Sequence, residues 1–440
     1  FLNCNMEETR KLLQEIELDQ EAYVNLLGKL IGETEKLQNN PPDLIPQEDL
    51  AVRHILEYLK PQTKEEGGLL EVEHISFTEG RGNVIIRLQG SGDKCLSFVG
   101  SHLDVVPANG DVWDRNPFEM VKEGDQLFGR GTTDCLGHVA LVTCLFKALS
   151  EKKLNLPITL NAVFIASEEA EGPGVGIDGL LNAGKLEALK NGPVIWIDCA
   201  DSQPCIGTAG AMPWHLEVTG HLFHSGLPHK GINALEFAME ASAEMQKRFY
   251  EQFPPHPMES EAEYNFATPS TMKPTQISVP KGGLNQLPPT CKISGDIRLT
   301  PFYKVSEVKE AVEGYVKDIM ENLSDLKTRG PCSKYEIPGK KGDLKFYFGG
   351  HLLSGIACNR DSPAYKAICT AIDEVKGSCV PYSICGSLPL VGDMQEAGFD
   401  IQLIGFGKSS VYHADNEYCL LSDMVDAVKI LTKVIDTIIA

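Results

Sequence analysis

The sequence is short of basic residues, short of aromatic residues, and free of paired-cysteine motifs. Its 40 Lys and Arg stand against 61 Asp and Glu, a formal net charge of −21. Nucleic acid and anionic lipid are bound through basic patches, so this deficit argues against both as general partners. No apolar run approaches the roughly 20 residues that a bilayer-crossing helix needs. The longest candidate, Val139 to Phe146, is closed by Lys147. The opening Phe1-Leu-Asn-Cys-Asn5 has no charged segment followed by a long apolar stretch, so it does not read as a secretory signal, and Met6 is a candidate natural initiator. The 13 Cys are odd in number and scattered from Cys4 to Cys419, with no C-x-x-C. A disulfide framework marks small secreted domains, so these read as reduced thiols in a cytoplasmic setting, mostly small buried hydrophobes.

What is present is ordinary globular material. The 440 residues are 42% hydrophobic and 23% charged, which excludes a disordered tail, a collagen and a coiled-coil rod. At about 150 residues per domain, the length corresponds to two or three domains. Residues 8–38 carry Leu12, Leu13, Ile16, Leu26, Leu27 and Leu30 at helical spacing and read as amphipathic helix. Asn39-Asn-Pro-Pro42 breaks the pattern before a second helix near Gln47–Leu59. Strands and helices then alternate: strands Val84–Leu88 and Cys95–Val99, helix Cys135–Ser150, strand Ile158–Ala166, a helix near Gly179–Leu189, and strand Val194–Ile197. Such apolar strands predict an α/β fold with a mixed, mainly parallel sheet sandwiched by helices.

The pattern changes near Gly207–Gly210. Strand Trp214–Gly220, helix Asn233–Phe249, a Pro-rich loop at Phe253–Pro257, strands Thr275–Val279 and Cys291–Leu299, and helix Val305–Asn322 form a compact α+β unit. The α/β pattern resumes after Arg329 and ends in a helix at Ser422–Ile439. The expected organisation is one catalytic domain from residues 1–210 and 326–440, with residues 211–325 inserted in it.

In sheet enzymes the chemistry sits where strands end. Strand Cys95–Val99 runs into His102-Leu-Asp104, which puts an imidazole and a carboxylate on the same side of an extended chain. Alone, this also fits a surface histidine in a loop. The turn Gly129-Arg-Gly-Thr-Thr-Asp134 places Asp134 at the start of a helix, where an ordinary N-cap is the competing reading. It lacks the Lys-Ser/Thr of a Walker loop and the third Gly of a dinucleotide loop. Strand Ile158–Ala166 ends in Ser167-Glu168-Glu169-Ala-Glu171; adjacent carboxylates after an apolar strand repel unless a cation or shared proton compensates, whereas a solvated acidic turn needs neither. Strand Val194–Ile197 ends in Asp198-Cys-Ala-Asp201, and far downstream stands Tyr412-His413-Ala-Asp-Asn-Glu417. Successive strand ends thus deliver two His and several carboxylates, a donor set suited to Zn²⁺ or a similar divalent ion.

These motifs resemble the di-zinc amidohydrolases and metallopeptidases that include acetylornithine deacetylase, succinyl-diaminopimelate desuccinylase and aminoacylase. The matching segments are Ser101–Pro107, Trp113–Phe118, Gly129–Asp134, Ser167-Glu-Glu169, Gly220–Gly226, Gly231–Ala234, Gly295-Asp-Ile-Arg298 and His413, in family order. Within the family, Leu44–Leu50, Arg130–Val142, Thr268–Thr275 and His413–Leu421 are similar to the acetylornithine deacetylases of plants.

The resemblance implies a zinc-peptidase-like catalytic domain with an inserted lid that makes a homodimer. It implies two divalent ions per chain, Zn²⁺ or else Co²⁺, held by His102, Asp134, Glu169, Asp198 and His413, with Asp134 bridging. Glu168 is implied as the general base and Asp104 as the carboxylate that orients His102. On the insert, His224 is implied to stabilise the oxyanion in a partner's active site, and Asn285 and Arg298 to contact substrate. Two departures stand out. The family's Asp-Met-Lys-Gly reads Asp134-Cys-Leu-Gly137 here, and its Glu ligand after the fourth strand is replaced by Asp198, with Asp201 as a rival. The implied reaction is hydrolysis of an N-acylated amino acid, N2-acetyl-L-ornithine to L-ornithine and acetate. An aminoacylase, dipeptidase or carboxypeptidase shares the same signature residues, and an inactive binding relative is the alternative of another class.

Overall fold

The computed structural model describes every residue except Phe1, Glu171, Pro257 and Met258, so the Glu171 carboxylate and the last residue of the expected Pro-rich loop lie outside the described residues. In chain order, the strands framing the two cores are β1 (Leu70–Thr78), β2 (Arg81–Leu88), β3 (Cys95–His102), β4 (Thr159–Ile165), β5 (Val194–Ile197), β6 (Gly210–Thr219), β7 (Thr271–Ser278), β8 (Thr290–Leu299), β9 (Asp343–Phe348) and β10 (Ile401–Ile404). The principal helices are α1 (Leu2–Gln14), α2 (Gln20–Ile31), α3 (Asp49–Leu59), α4 (Leu136–Glu151), α5 (Ala234–Gln252), α6 (Val305–Glu321), α7 (Pro363–Lys376) and α8 (Leu421–Ile439).

The chain divides into two units. The first runs to Ile206 and resumes at Cys358–Tyr382 and Pro389–Ala440; the second is Gly207–Ala357 with Ser383–Leu388. In the first, the sheet order is β1-β2-β4-β3-β5-β10, followed by two short strands, Cys205–Thr208 and Tyr382–Ile384, where the chain passes between units. β4, β3, β5 and β10 run parallel, whereas β1 and β2 add an antiparallel hairpin to the edge. The central strands are buried along their whole length, which is why β3, β4 and β5 are mainly apolar on both faces rather than alternating with exposed polar positions. Burial of each large side chain there contributes about 1.5–3 kcal/mol.

Helix ends follow local chemistry. α7 starts with Ser362, whose hydroxyl accepts from the Ala364 amide, continues with Pro363 in the first turn, and stops at Gly377, φ +80°. The helix expected over residues 8–38 is two helices, α1 and α2, because the Asp19 side chain caps the Ala22 amide and starts a new one. β1 was not expected: past Leu70 its apolar residues Val72 and Ile75 are only half-buried, Phe77 is exposed, and Glu73, His74 and Ser76 stand in water between them, so no apolar run marks this edge.

The second unit is a four-stranded antiparallel sheet, β7-β8-β6-β9, packed against α5 and α6. Met212, Trp214, Leu216 and Val218 alternate inward along β6. Gly295 on β8 lies opposite Trp214, and a Cβ there would come within 2.4 Å of the indole. The unit extends to Ala357, beyond the residue 325 expected from the sequence, because β9 pairs with β6 and completes this sheet. Strand character after Arg329 is therefore the continuation of the insert, and the first unit resumes only at Cys358.

Candidate active site

The first unit gathers its ionisable side chains at the C-terminal ends of β3, β4 and β5. Near the end of β3, Gly100 has φ +95°, and a Cβ there would meet the Trp196 ring at 2.4 Å. Only glycine accommodates both demands. The pairing of β3 with β4 is irregular between Val99 and His102, so the strand bulges just before the imidazole.

His102 is fully buried. Its Nδ1 lies 2.9 Å from the Asp104 carbonyl oxygen and 3.5 Å from the Asp104 carboxylate, which leaves Nε2 facing the site. Nε2 lies 2.9 Å from Asp134 Oδ1, 3.5 Å from Asp198 Oδ1 and 3.9 Å from Glu168 Oε2. The other oxygen of Asp134, Oδ2, lies 3.1 Å from His413 Nε2, and that nitrogen is 3.2 Å from Glu169 Oε2. Asp134 therefore stands between two histidines and presents one oxygen to each. His102, Asp134 and Glu169 offer donor atoms within 4.8 Å of one another, and so do His102, Asp198 and Cys135.

Four carboxylates around two imidazoles leave the cluster short of positive charge. Burial, against the pull of His102, together with Asp198, Glu169 and Asp134, pushes Glu168 well above the ordinary carboxyl range. Burial and then Asp134 raise Glu169 to about 7. Burial, opposed by His102, raises Asp198. Asp134 moves the other way: although burial works against it, its hydrogen bonds to His102 and His413 hold it below the usual range. His413 is pushed up to about 10 by its bonds to Asp134 and Glu169. Burial opposes charge on His102, but Asp198 and the adjoining groups raise it well above normal. Two buried oxygens, Glu169 Oε1 and Asp198 Oδ1, have no hydrogen-bond partner. Orphaned carboxylate oxygens beside imidazole nitrogens fit a divalent cation better than they fit a folded core, where such atoms are normally satisfied.

Three residues that hold the cluster in place were not singled out in the sequence. The Asp104 carboxylate accepts from the Glu168 amide at 3.0 Å, the Glu169 amide at 2.9 Å and Asn39 Nδ2 at 2.8 Å. It thereby fixes the paired-glutamate turn, while the Asp104 backbone carbonyl holds His102 Nδ1. Asn39 also donates to the Ala170 carbonyl. Glu48, buried in a two-point ion pair with Arg81 at 2.6 and 2.7 Å, accepts from the Ser167 amide. Glu417, fully buried, accepts from the Gly131, Thr133 and Asp134 amides and from Arg130 Nη1 at 2.7 Å. This fixes the loop that carries Asp134. Of the two candidates after β5, Asp198 is buried in the cluster, whereas Asp201 lies exposed on a turn and accepts from the Ser409 amide.

The remaining candidates stand on the second unit. His224 is exposed, and its Nδ1 accepts from the Gly226 amide at 3.0 Å. Asn285 is its neighbour, because the Ser225 amide donates to the Asn285 carbonyl at 2.8 Å. Arg298, near the end of β8, donates to Asp296 at 2.6 Å and to the Ser387 hydroxyl at 3.4 Å. His224 and Asn285 thus share one pair of loops, and Arg298 sits elsewhere with an acidic partner of its own.

The sequence model of Peptidase family M20/M25/M40 matches residues 98–437. The chain is 54% identical over 423 residues to an acetylornithine deacetylase of Arabidopsis thaliana, covering 95% of this chain and 96% of that protein. It is 52% identical over 436 residues to an acetylornithine deacetylase of Dictyostelium discoideum, covering 96% and 97%. Among solved structures, an M20 family metallo-carboxypeptidase from Sulfolobus solfataricus superposes with a TM-score of 0.68 at 17% identity, covering 94% of this chain and 98% of that one, a likeness of fold.

Proposed function

The chain belongs to peptidase family M20/M25/M40, and from that premise we propose that it is a metal-dependent amidohydrolase that cleaves N2-acetyl-L-ornithine into acetate and L-ornithine, the step that supplies ornithine to arginine synthesis. One observation carries the reading: the near-full-length identity of 54% to the Arabidopsis thaliana acetylornithine deacetylase. It is supported by the assembled cluster at the strand ends.

His102 and Asp198 would hold one divalent ion, His413 and Glu169 the other, with Asp134 shared between them; Zn²⁺ suits this N/O set, and Co²⁺ can replace it. Bound divalent ions supply Lewis acidity and water made acidic enough to attack at neutral pH. Everything else is the work of this chain. Glu168, kept basic by its buried acidic surroundings, takes a proton as water attacks the acetyl carbonyl and returns it to the departing amine. Asp104 holds His102 in one tautomer and, through two backbone amides, holds Glu168 and Glu169 at a fixed spacing. We further propose that the second unit mediates a homodimer, that His224 stabilises the developing oxyanion in the partner's site, and that Asn285 and Arg298 bind the substrate carboxylate. The twelve unbridged cysteines among the described side chains support a reducing, cytoplasmic setting.

The test is a substrate panel assayed with added Zn²⁺ or Co²⁺. Acetate release from N2-acetyl-L-ornithine, well above hydrolysis of dipeptides and other N-acyl amino acids, is expected. Preferential release of free amino acids from dipeptides would replace this reading with a peptidase. For completion in trans, His224→Ala mixed with Glu168→Gln should recover some activity once subunits exchange; no recovery despite demonstrated exchange removes the partner-subunit role.

A further inference from the structure

Cys135 follows Asp134 directly and is fully buried. Its sulfur belongs to the group in which His102, Asp198 and Cys135 offer donors within 4.8 Å of one another. We propose that Cys135 supplies a sulfur donor to the metal position at His102 and Asp198, an inference that rests on the metal-dependent reading above.

Three features argue for a ligand rather than a space-filling thiol. The first is the company the sulfur keeps: Asp198 Oδ1 is buried, has no hydrogen-bond partner, and lies 3.5 Å from His102 Nε2. That open oxygen, a ring nitrogen and a sulfur form a converging donor set. The second is His138. Its Nε2 accepts from the Phe406 amide at 2.8 Å, so in the neutral ring the proton is on Nδ1, which lies 3.3 Å from Cys135 Sγ. The sulfur therefore receives a hydrogen bond from a histidine whose tautomer is fixed from behind. This is how a histidine orients and tempers a ligand from outside the coordination sphere. The third is that the thiol proton can be spared. It points at the Ile197 carbonyl over a long 3.6 Å, and that carbonyl already accepts from the Ser101 hydroxyl at 3.0 Å. On binding, the thiol gives its proton to solvent and forms a sulfur–metal bond, leaving no backbone acceptor unsatisfied.

The consequence is that the two metal positions are chemically unequal. The one at His102, Asp198 and Cys135 combines N, O and S; the one at His413 and Glu169 has only N and O. Sulfur favours Zn²⁺ and Cd²⁺ over Mn²⁺ and Mg²⁺, so the first position should be the more selective.

The experiment uses the full-length protein stripped of metal and reloaded with Co²⁺, read by absorption and elemental analysis rather than by turnover. The expected result is a near-ultraviolet sulfur-to-cobalt band that Cys332→Ser, a change at an exposed thiol, leaves intact and Cys135→Ser abolishes, with both variants still taking up cobalt. Two cobalt ions bound without that band, or a band that survives Cys135→Ser, overturns the sulfur ligand and leaves the metal-dependent reading standing. No cobalt bound by the unmodified protein overturns both. Should Cys135→Ser fail to fold, zinc-edge X-ray absorption of the unmodified zinc protein decides instead. A sulfur neighbour at about 2.3 Å supports the proposal, and a shell of nitrogen and oxygen alone overturns it.

Discussion

The buried cluster of the first unit and the exposed candidates of the second solve opposite problems. At the ends of β3, β4 and β5, His102, Asp104, Glu168 and Asp198 are buried, and the backbone that carries the cluster is held by carboxylates from other segments: Asp104 on the Glu168–Glu169 turn, Glu417 on the Asp134 loop, Glu48 on Ser167. His224 and Asn285 are instead exposed, and the His224 ring accepts from the nearby Gly226 amide. A preorganised charge cluster needs burial so that its fields are strong. Groups that must meet a substrate, or another subunit, have to remain free to do so. The difference implies that substitutions in the first region disturb the buried cluster and stability together, whereas those in the second should carry little structural cost.

The largest effect should come from Glu168→Gln. The amide keeps the shape but cannot accept the proton, so turnover should fall by about 10²–10⁴-fold, the usual worth of a positioned base. Metal content by elemental analysis should be unchanged. Near-normal turnover would remove Glu168 from the base role and, with it, the idea that the first region is built for chemistry.

Glu417→Ala comes next and is read as stability. It strips acceptors from three amides and leaves the Arg130 guanidinium, 2% exposed, without its carboxylate. Breaking a buried ion pair on one side costs about 3–5 kcal/mol. Urea denaturation should show that loss; a change under about 1 kcal/mol, the range of a surface pair, would show that the clamp is not structural. His413→Ala probes the same cluster at its more open end, since this side chain is 56% exposed. The fold should survive, and the chain should bind about one metal ion fewer. Unchanged metal content would take His413 out of the donor set.

How much of this was legible in the sequence follows from the same contrast. Strands buried on both faces announce themselves as apolar runs, so Val194–Ile197 was readable to the residue, and the carboxylates after each strand pointed to one place. Asp198 was preferred to Asp201 only through the resemblance, because three residues of turn decide which carboxylate faces inward. Nor was the clamp. Glu48 meets Arg81 across 33 positions, and Glu417 meets Asp134 across 283, so nothing local distinguishes either from a surface acid. The insert's end was misplaced for a related reason: β9 completes its sheet by pairing with β6, more than a hundred residues earlier, and a period count sees only neighbours. Composition was equally blind to Cys135, whose surroundings come from β3, β5 and the loop before α4 together.

The smallest structural effect should be at Arg298, where the comparison is sharpest. Its ion pair with Asp296 has the same 2.6 Å separation as the Arg81–Glu48 pair. The side chains differ in exposure, 41% for Arg298 against 9% for Arg81. Solvent screens the first pair and not the second, so Arg298→Ala should cost no more than about 1 kcal/mol of stability. Arg81→Ala, which leaves a buried carboxylate uncompensated, should cost about 3–5 kcal/mol. If Arg298 binds the substrate carboxylate, its loss should appear as a raised KM, and Arg298→Lys, which keeps the charge but not the two-point geometry, should recover KM only in part. Equal destabilisation by the two alanine substitutions, with KM unmoved by Arg298→Ala, would mean that the second region's arginine is a structural tie like the first region's, and the division of labour between the units would fail at this residue.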